Sequence, residues 1–578
     1  MNANAIRHDP ITGCYALDKD RLIVKLETGK EVSNVILYAN DPYVGTFGEA
    51  WYGEPIKMKL VRELKYSFVW EVEVAPKFKR LQYYFEISCD DERVCLLEDG
   101  LYSDLQDTAG RIVQYFKYAW LNGADVCEVP KWAENLAWYQ IFPDRFCRAD
   151  GVKSSPDILQ WGVENSARFN TFYGGNITGI TEKLEYIKDL GIGGIYLTPI
   201  MLSNTNHRYN VNDYTCVDPD LGGKSALTEL IKKAHGIGLK IMLDAVFNHC
   251  GKDFFAWRDV EKNGAKSKYY DWFFINDPEF ATKSGNTKDG RYFSFSFEAY
   301  MPKLNTNNPE VADYFINVCK DWVALGVDGI RFDVGNEISH TFLKKLRLEL
   351  KALKPDLFLL GEIWHRAQAW LLGDEYDSIM NFQFLESVND FYIDKKQTAR
   401  DLMYSLNENY NNYYRQINGV LFNMLDNHDV DRAVTRCNSQ DSLLQELVIL
   451  MTMPGSPCIY YGTETALGGV VRENRNRRCM DWNGIDNGKY DEMLSEFKKI
   501  TALRQIFAPF KNADIEWRFS EIDRVIDYIW SNADGHKLEI VLNASECDVR
   551  FETDKYCVYS RKLDGDTLSV GGIVVLYE

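Results

Sequence analysis

From Ala137 to Tyr461 the chain repeats one pattern: a short apolar run of strand character, then apolar residues at helical spacing, then another short run. The runs centre near residues 140, 195, 242, 331, 360, 380, 423 and 459. Eight strands joined by helical crossovers is the number that closes a parallel barrel, so the pattern predicts an α/β fold, a (β/α)8 TIM barrel. Individual elements are legible. Ala137 to Phe142 and Gly194 to Leu197 read as strands, with Ile180, Leu184, Ile187 and Leu190 marking one helix between them. A helix over Ser225 to His235 precedes a strand over Leu239 to Val246. Asn308-Pro309 supplies an N-cap and a first-turn proline for a helix whose Val311, Phe315, Val318 and Trp322 share one face.

Chemistry-bearing residues fall at the ends of these strands. In DGIRFDVGNE, Asp328 to Glu337, a strand over Gly329 to Phe332 leads into Asp333, and side chains two apart share a face, so Arg331 and Asp333 lie together. A fixed cation there favours the ionised carboxylate. Glu362 closes the run Asp356 to Ile363, beside Trp364 and His365, and Asp429 follows the run Gly419 to Leu425, beside His428. An Asp at a strand end is commonly a turn former or a helix cap. Three acids with chemically distinct neighbours on three strand ends point instead to one pocket, at the C-terminal mouth where barrels carry their chemistry.

With 578 residues the chain exceeds one core. Residues 1–125 read as an N-terminal β-sandwich: Arg21 to Leu26, Asn34 to Tyr38, Ser67 to Val74 and Leu81 to Ser88 are β-branched and aromatic runs between turn signals. The barrel is assigned to 126–507, with 250–306 as a small domain inserted after its third strand, because that connection is too long for a simple loop. Past about Ala508 short strands return, predicting a C-terminal β-sandwich over 508–578. The net charge of −19 repels nucleic acid and anionic membranes, and neither is an expected partner. Thirteen scattered cysteines without a CxxC pair fit a reducing compartment, and MNANAIRHDP lacks the apolar segment of a secretory signal, so the expected location is cytoplasmic.

Two carboxylates on rigid strand ends, one ionised and one able to carry a proton, suit a retaining glycosidase, whose pair stands about 5 to 5.5 Å apart. Asp333, with its arginine, suits the nucleophile. Glu362, flanked by Ile363 and Trp364, suits the acid with a raised pKa. There is no HExxH and no zinc-ligand spacing among the eight histidines.

Four segments, DAVFNH (Asp244 to His249), GIRFDVGNE (Gly329 to Glu337), LGEIWH (Leu360 to His365) and LDNHD (Leu425 to Asp429), resemble in order and spacing the signature regions of the α-amylase family, glycoside hydrolase family 13. MPKLNT at Met301 to Thr306, WYQIFPDRF at Trp138 to Phe146, the segment Tyr115 to Trp132 and NRRCMDW at Asn476 to Trp482 are similar to its neopullulanase, cyclomaltodextrinase and maltogenic amylase branch. The resemblance implies Asp333 as nucleophile, Glu362 as general acid/base and Asp429 as transition-state stabiliser. It implies that His249 and His428 bind sugar hydroxyls, that Asp244 braces Arg331, that Tyr209 stacks under the sugar at the cleavage point, that Arg477 grips the next sugar and that Trp364 shapes the leaving-group side. It further implies hydrolysis of α-1,4 bonds in cyclodextrins, pullulan or maltooligosaccharides, with some α-1,6 cleavage and transglycosylation, by a homodimer.

Departures from the pattern bear on cofactors. Gly174-Gly175-Asn176-Ile177 has an amide where an aspartate is usual, and acids are sparse just after Phe146, which disfavours the calcium site some relatives carry. No cofactor is expected to be required. Two other readings remain: an α-glucosidase or oligo-1,6-glucosidase of the same family, and a non-catalytic sugar-binding barrel, a class that typically loses one of the acids retained here.

Overall fold

The computed structural model describes residues 1–45, 50–90, 92–105, 113–149, 158–163, 171–277, 280, 285–473, 475–506, 514–531 and 535–578. The chain folds as two compact units. One holds 1–128 with 371–373 and 398–418; the other holds 129–370, 374–397 and 419–578.

In the larger unit eight parallel strands close a barrel in chain order: β1 (Trp138–Ile141), β2 (Gly194–Leu197), β3 (Lys240–Ala245), β4 (Gly329–Phe332), β5 (Phe358–Gly361), β6 (Ser378–Asn381), β7 (Phe422–Met424) and β8 (Ser456–Tyr460). All eight expected strands are present, each within a few residues of its sequence-derived bounds. The strands are buried almost throughout, as β-branched and aromatic runs covered on both faces must be. Trp138, Tyr196, Met242, Leu360, Met380 and Phe422 fill the interior. The helix Pro309–Leu325 begins where expected: the Asn308 side chain accepts from Glu310 N–H, Pro309 follows, and Gly326 closes the helix in the left-handed region at φ 103°. That closure delivers the chain directly into β4.

Two local expectations change. The helix over Ile180 to Leu190 is two helices, Ile177–Glu182 and Leu184–Asp189, because the Lys183 N–H turns back onto the Ile180 and Thr181 carbonyls. Its apolar residues remain buried. Beyond β2, a hairpin of Met201–Ser203 and Val211–Val217, not anticipated from the sequence, carries Tyr209 in its loop.

Within 250–306 the described residues form a helix, Phe255–Asn263, single-turn helices and isolated bridges, folded around their own aromatic core. Trp257 stands 4.8 Å from both Phe273 and Tyr292. Residues 278–279 and 281–284 of this insertion lie outside the described residues, as does the 507/508 boundary. The described C-terminal strands form a single antiparallel sheet rather than two facing sheets. The barrel helix Gln440–Thr452 takes the place of the second layer: Gln445 donates to the Asn543 and Gly572 carbonyls, and Tyr528 and Thr452 hydroxyls meet at 2.6 Å.

The smaller unit is built on the expected sandwich, a four-stranded and a six-stranded antiparallel sheet whose alternating side chains Leu22, Val24, Leu26, Val35, Leu37, Phe85 and Ile87 make the core. Thr398–Asn418, which the sequence pattern places with the barrel, clusters in this unit. Its helix Ala399–Asn411 is tied there by polar contacts: Asn407 donates to the Glu63 carbonyl, Lys25 to the Asn411 carbonyl, and Arg415 pairs with buried Glu71.

Candidate active site

Register brings four charged residues together. In the parallel ladder Asp244 on β3 is paired with Arg331 on β4, and Arg331 with Leu360 on β5, so Asp333 and Glu362 emerge one step beyond on adjoining strand ends. The Arg331 side chain is wholly buried and serves three carboxylates. Nη1 donates to both Asp244 oxygens, at 2.8 and 2.9 Å, and to Asp333 Oδ1 at 2.9 Å. Nη2 stands 2.8 Å from Glu362 Oε2, an ion pair without hydrogen-bond alignment. Asp333 and Glu362 therefore share one guanidinium fork.

The arrangement corrects one sequence-based expectation: Glu362, flanked by Ile363 and Trp364, does not stand in an apolar setting. Glu362 Oε2 also accepts from the Val334 N–H at 3.0 Å, and Oε1 from Trp364 Nε1 at 3.1 Å. Val334 reaches that position in the left-handed region, φ 47° and ψ 46°, which a β-branched side chain rarely adopts. Tyr376 donates to the Gly335 carbonyl and lies against Gly361, where an added Cβ would meet its ring at 2.6 Å. A glycine before Glu362 is thus a packing requirement. For Asp333, burial raises proton affinity; Arg331 opposes it, but Glu362, Asp244 and Asp429 add to it, and the carboxyl is held well above the ordinary carboxylate range.

Asp429 has the opposite surroundings. Its side chain is 35% exposed, with Oδ2 3.0 Å from His428 Nε2 and Oδ1 2.9 Å from Arg477 Nη2. Burial opposes ionisation, yet His428, Arg477 and Arg331 outweigh it and keep the carboxyl below the usual range. Arg477 also donates to the His428 carbonyl, so it fixes the loop as well as the acid.

Tyr209 joins the two groups. Its hydroxyl lies 2.9 Å from Asp244 Oδ2 and 2.7 Å from His428 Nε2, and its ring is parallel to His428 at 5.3 Å. The preceding Arg208, at φ 58°, is buried and pinned to Asp218 at 2.8 Å, which sets the loop that presents the tyrosine. His249 takes a different position from the one expected. It is 1% exposed, Nε2 meets the Tyr209 carbonyl at 3.1 Å, and the ring stacks on Phe295 at 4.7 Å. Burial pushes its pKa down to about 3, so it is a neutral brace for the Tyr209 loop. Trp364 is 53% exposed and stacks on Phe382 at 3.7 Å, an open face beside Glu362.

Three contributors escaped the sequence reading. Tyr196 donates to Asp244 at 2.6 Å, Gln140 contacts His428 Nδ1 at 2.9 Å, and Arg208 holds the Tyr209 loop. Tyr196 and Gln140 sit mid-strand, where a polar atom inside a barrel is the available signal.

Near Gly174-Gly175-Asn176, Asp144 accepts from Tyr173 N–H, Gly174 N–H and Arg145, and Asn176 Oδ1 caps a helix through Gly179 N–H. Asp150, in the acid-poor stretch after Phe146, lies outside the described residues.

A barrel whose C-terminal mouth gathers two carboxyls on one guanidinium, a third acid and a stacking tyrosine defines a glycoside hydrolase site. Residues 140–508 match the family model described as the α-amylase catalytic domain, and residues 1–122 match the α-amylase N-terminal ig-like domain. An intracellular maltogenic amylase of Bacillus subtilis is 38% identical over 509 residues, covering 87% of this chain and 84% of that protein. A cyclomaltodextrinase of Geobacillus thermopakistaniensis is 36% identical, covering 94% and 92%. A solved cyclomaltodextrinase structure superposes with a TM-score of 0.88 at 30% identity, over 100% of this chain and 98% of that one. The chain belongs to the α-amylase family. Within it, it is an α-glucan hydrolase of the maltogenic amylase, cyclomaltodextrinase and neopullulanase type.

Proposed function

We propose that the chain cleaves α-1,4-glucosidic bonds of cyclodextrins and short maltooligosaccharides with retention, using Asp333 as nucleophile, Glu362 as general acid/base and Asp429 as a hydroxyl anchor. The observation that carries the assignment is the single guanidinium of Arg331 between Asp333 and Glu362. Asp333 attacks the anomeric carbon while Glu362 gives its proton to the departing glycosidic oxygen, leaving a covalent glycosyl-Asp333 ester. Glu362, now ionised, takes a proton from water, whose oxygen attacks the anomeric carbon from the face the leaving group vacated, opposite Asp333, and releases its carboxylate, so the configuration is retained overall. A sugar hydroxyl in place of that water gives transfer instead of hydrolysis. Turnover requires a proton on Glu362 at the glycosidic oxygen, so displacement of the Trp364 N–H from Oε1 by that oxygen is part of the cycle. Asp429, ionised by His428 and Arg477, accepts hydroxyl hydrogen bonds that strengthen as the ring flattens. Tyr209 presents its ring beside them.

Pullulan and some α-1,6 bonds belong to the same reading, supported by the relative named neopullulanase 2 from Thermoactinomyces vulgaris, 33% identical over 94% of this chain. The proposal includes a homodimer, independence of calcium and a cytoplasmic location. The location is supported by thirteen scattered cysteines without a CxxC pair. No helix among the described residues is long and apolar enough to cross a membrane. Released reducing sugar from β-cyclodextrin, pullulan and panose, compared between the native chain and Asp333→Asn, tests the reading. Loss of activity in the variant and unchanged activity after chelation are expected. Equal, near-zero rates from both proteins end the enzyme assignment, and a monomer in light scattering ends the dimer.

A further inference from the structure

Arg477, which pairs with Asp429, also lines a cavity of about 760 Å³, within the range of ligand pockets. Seven of its twenty lining side chains are Arg or Lys and only two are acids, in a chain whose net charge is −19. Some of that positive charge is answered locally: Arg145 by Asp144, Arg475 by Glu473 and Lys489 by Asp481. Among the described residues no carboxylate pairs with Arg148 or Lys183. Lys183 instead sits over the Trp482 ring at 4.1 Å. A concave surface rich in cations concentrates the positive potential and draws an anion.

Aromatic rings complete the wall. Trp161, held by its Nε1 on the Met480 carbonyl at 2.9 Å, and Tyr490, with its hydroxyl 2.8 Å from Asp481, are fixed in place. Fixed rings offer the apolar face on which a pyranose stacks. A neutral glucan would use those faces and leave the two cations unanswered. A phosphate monoester carries about −1.5 to −2 charges at neutral pH, which matches them.

We propose that this cavity binds a saccharide carrying a phosphate monoester, Arg148 and Lys183 taking the phosphate and the aromatic wall taking the ring. The ligand is either a free sugar phosphate or a phosphorylated glucan whose chain continues past Arg477 into the candidate active centre. Only the second form rests on the hydrolase reading. Calorimetric titration of the full chain at low salt with glucose 6-phosphate, inorganic phosphate and glucose tests the binding itself. Glucose 6-phosphate is expected to bind at least about tenfold more tightly than either of the other two, since one charge-assisted contact is worth that much. The double variant Arg148→Gln/Lys183→Gln is expected to lose at least about tenfold in that affinity, with its melting temperature and its rate on β-cyclodextrin unchanged. Glucose 6-phosphate binding no tighter than glucose, or equally tight binding by the double variant, overturns the proposal. Inorganic phosphate binding as tightly as the sugar phosphate overturns the saccharide part. To separate the two sources, a higher kcat/KM on phosphorylated than on neutral maltooligosaccharide marks the substrate form. A changed rate on neutral substrate with added glucose 6-phosphate marks the free ligand.

Discussion

The carboxylates at the mouth of the barrel fall into two neighbourhoods that treat charge in opposite ways. Around β3 to β5, three acids share one buried guanidinium, and Asp333 is left with a strong hold on a proton. Beyond β7, one acid has a histidine and an arginine nearly to itself and stays ionised. The two acids differ both in depth, 9% against 35% side-chain exposure, and in how many carboxylates share each cation.

Substitutions can break this contrast. Asp333→Asn, which removes the proposed nucleophile while leaving shape and hydrogen bonding in place, is expected to lower kcat on β-cyclodextrin by about 10⁴-fold or more, and Glu362→Gln by about 10² to 10⁴-fold. Retained activity in either would break the pairing. Arg331→Met strands the wholly buried Asp244 and its neighbours, and is expected to cost about 3–5 kcal/mol in urea unfolding. A smaller loss would mean that the acids discharge by binding protons.

The dependence of melting on pH sharpens the comparison. A carboxyl raised in the folded state, as Asp333 is, binds its proton more tightly folded than unfolded, so its contribution falls as pH rises above the unfolded value of about 3.9. Asp333→Asn should therefore gain stability over the native chain as pH rises from about 4 to 7. Asp429, lowered in the folded state, contributes stability above the unfolded pKa that is lost on acidification. Asp429→Asn should be less stable at neutral pH, with the deficit closing below about pH 4. Shifts of the same sign in both would remove the distinction. The smallest effect is expected from Arg477→Ala, about tenfold in kcat/KM, because His428 still holds Asp429 from the other side.

Much of this was legible in the chain. Period and punctuation placed all eight barrel strands, since a strand buried on both faces must be apolar and its turns must be marked. The Asn308-Pro309 cap and the Arg331-Asp333 alternation follow from local geometry alone. Hidden from the sequence were the hairpin that carries Tyr209 and the attachment of Thr398–Asn418 to the N-terminal sheets. Both depend on partners distant along the chain.

The sequence by itself determined the barrel, the identity of the acids and the pairing of Asp333 with Arg331, because each rests on spacings of a few residues within one element. Only the tertiary structure decided how charge is divided among them. Parallel register set Asp244 beside Arg331, the left-handed turn at Val334 aimed its N–H at Glu362, and Arg477 came from the segment after β8 to hold Asp429. Electrostatic energy depends on distance through space, which no one-dimensional spacing records.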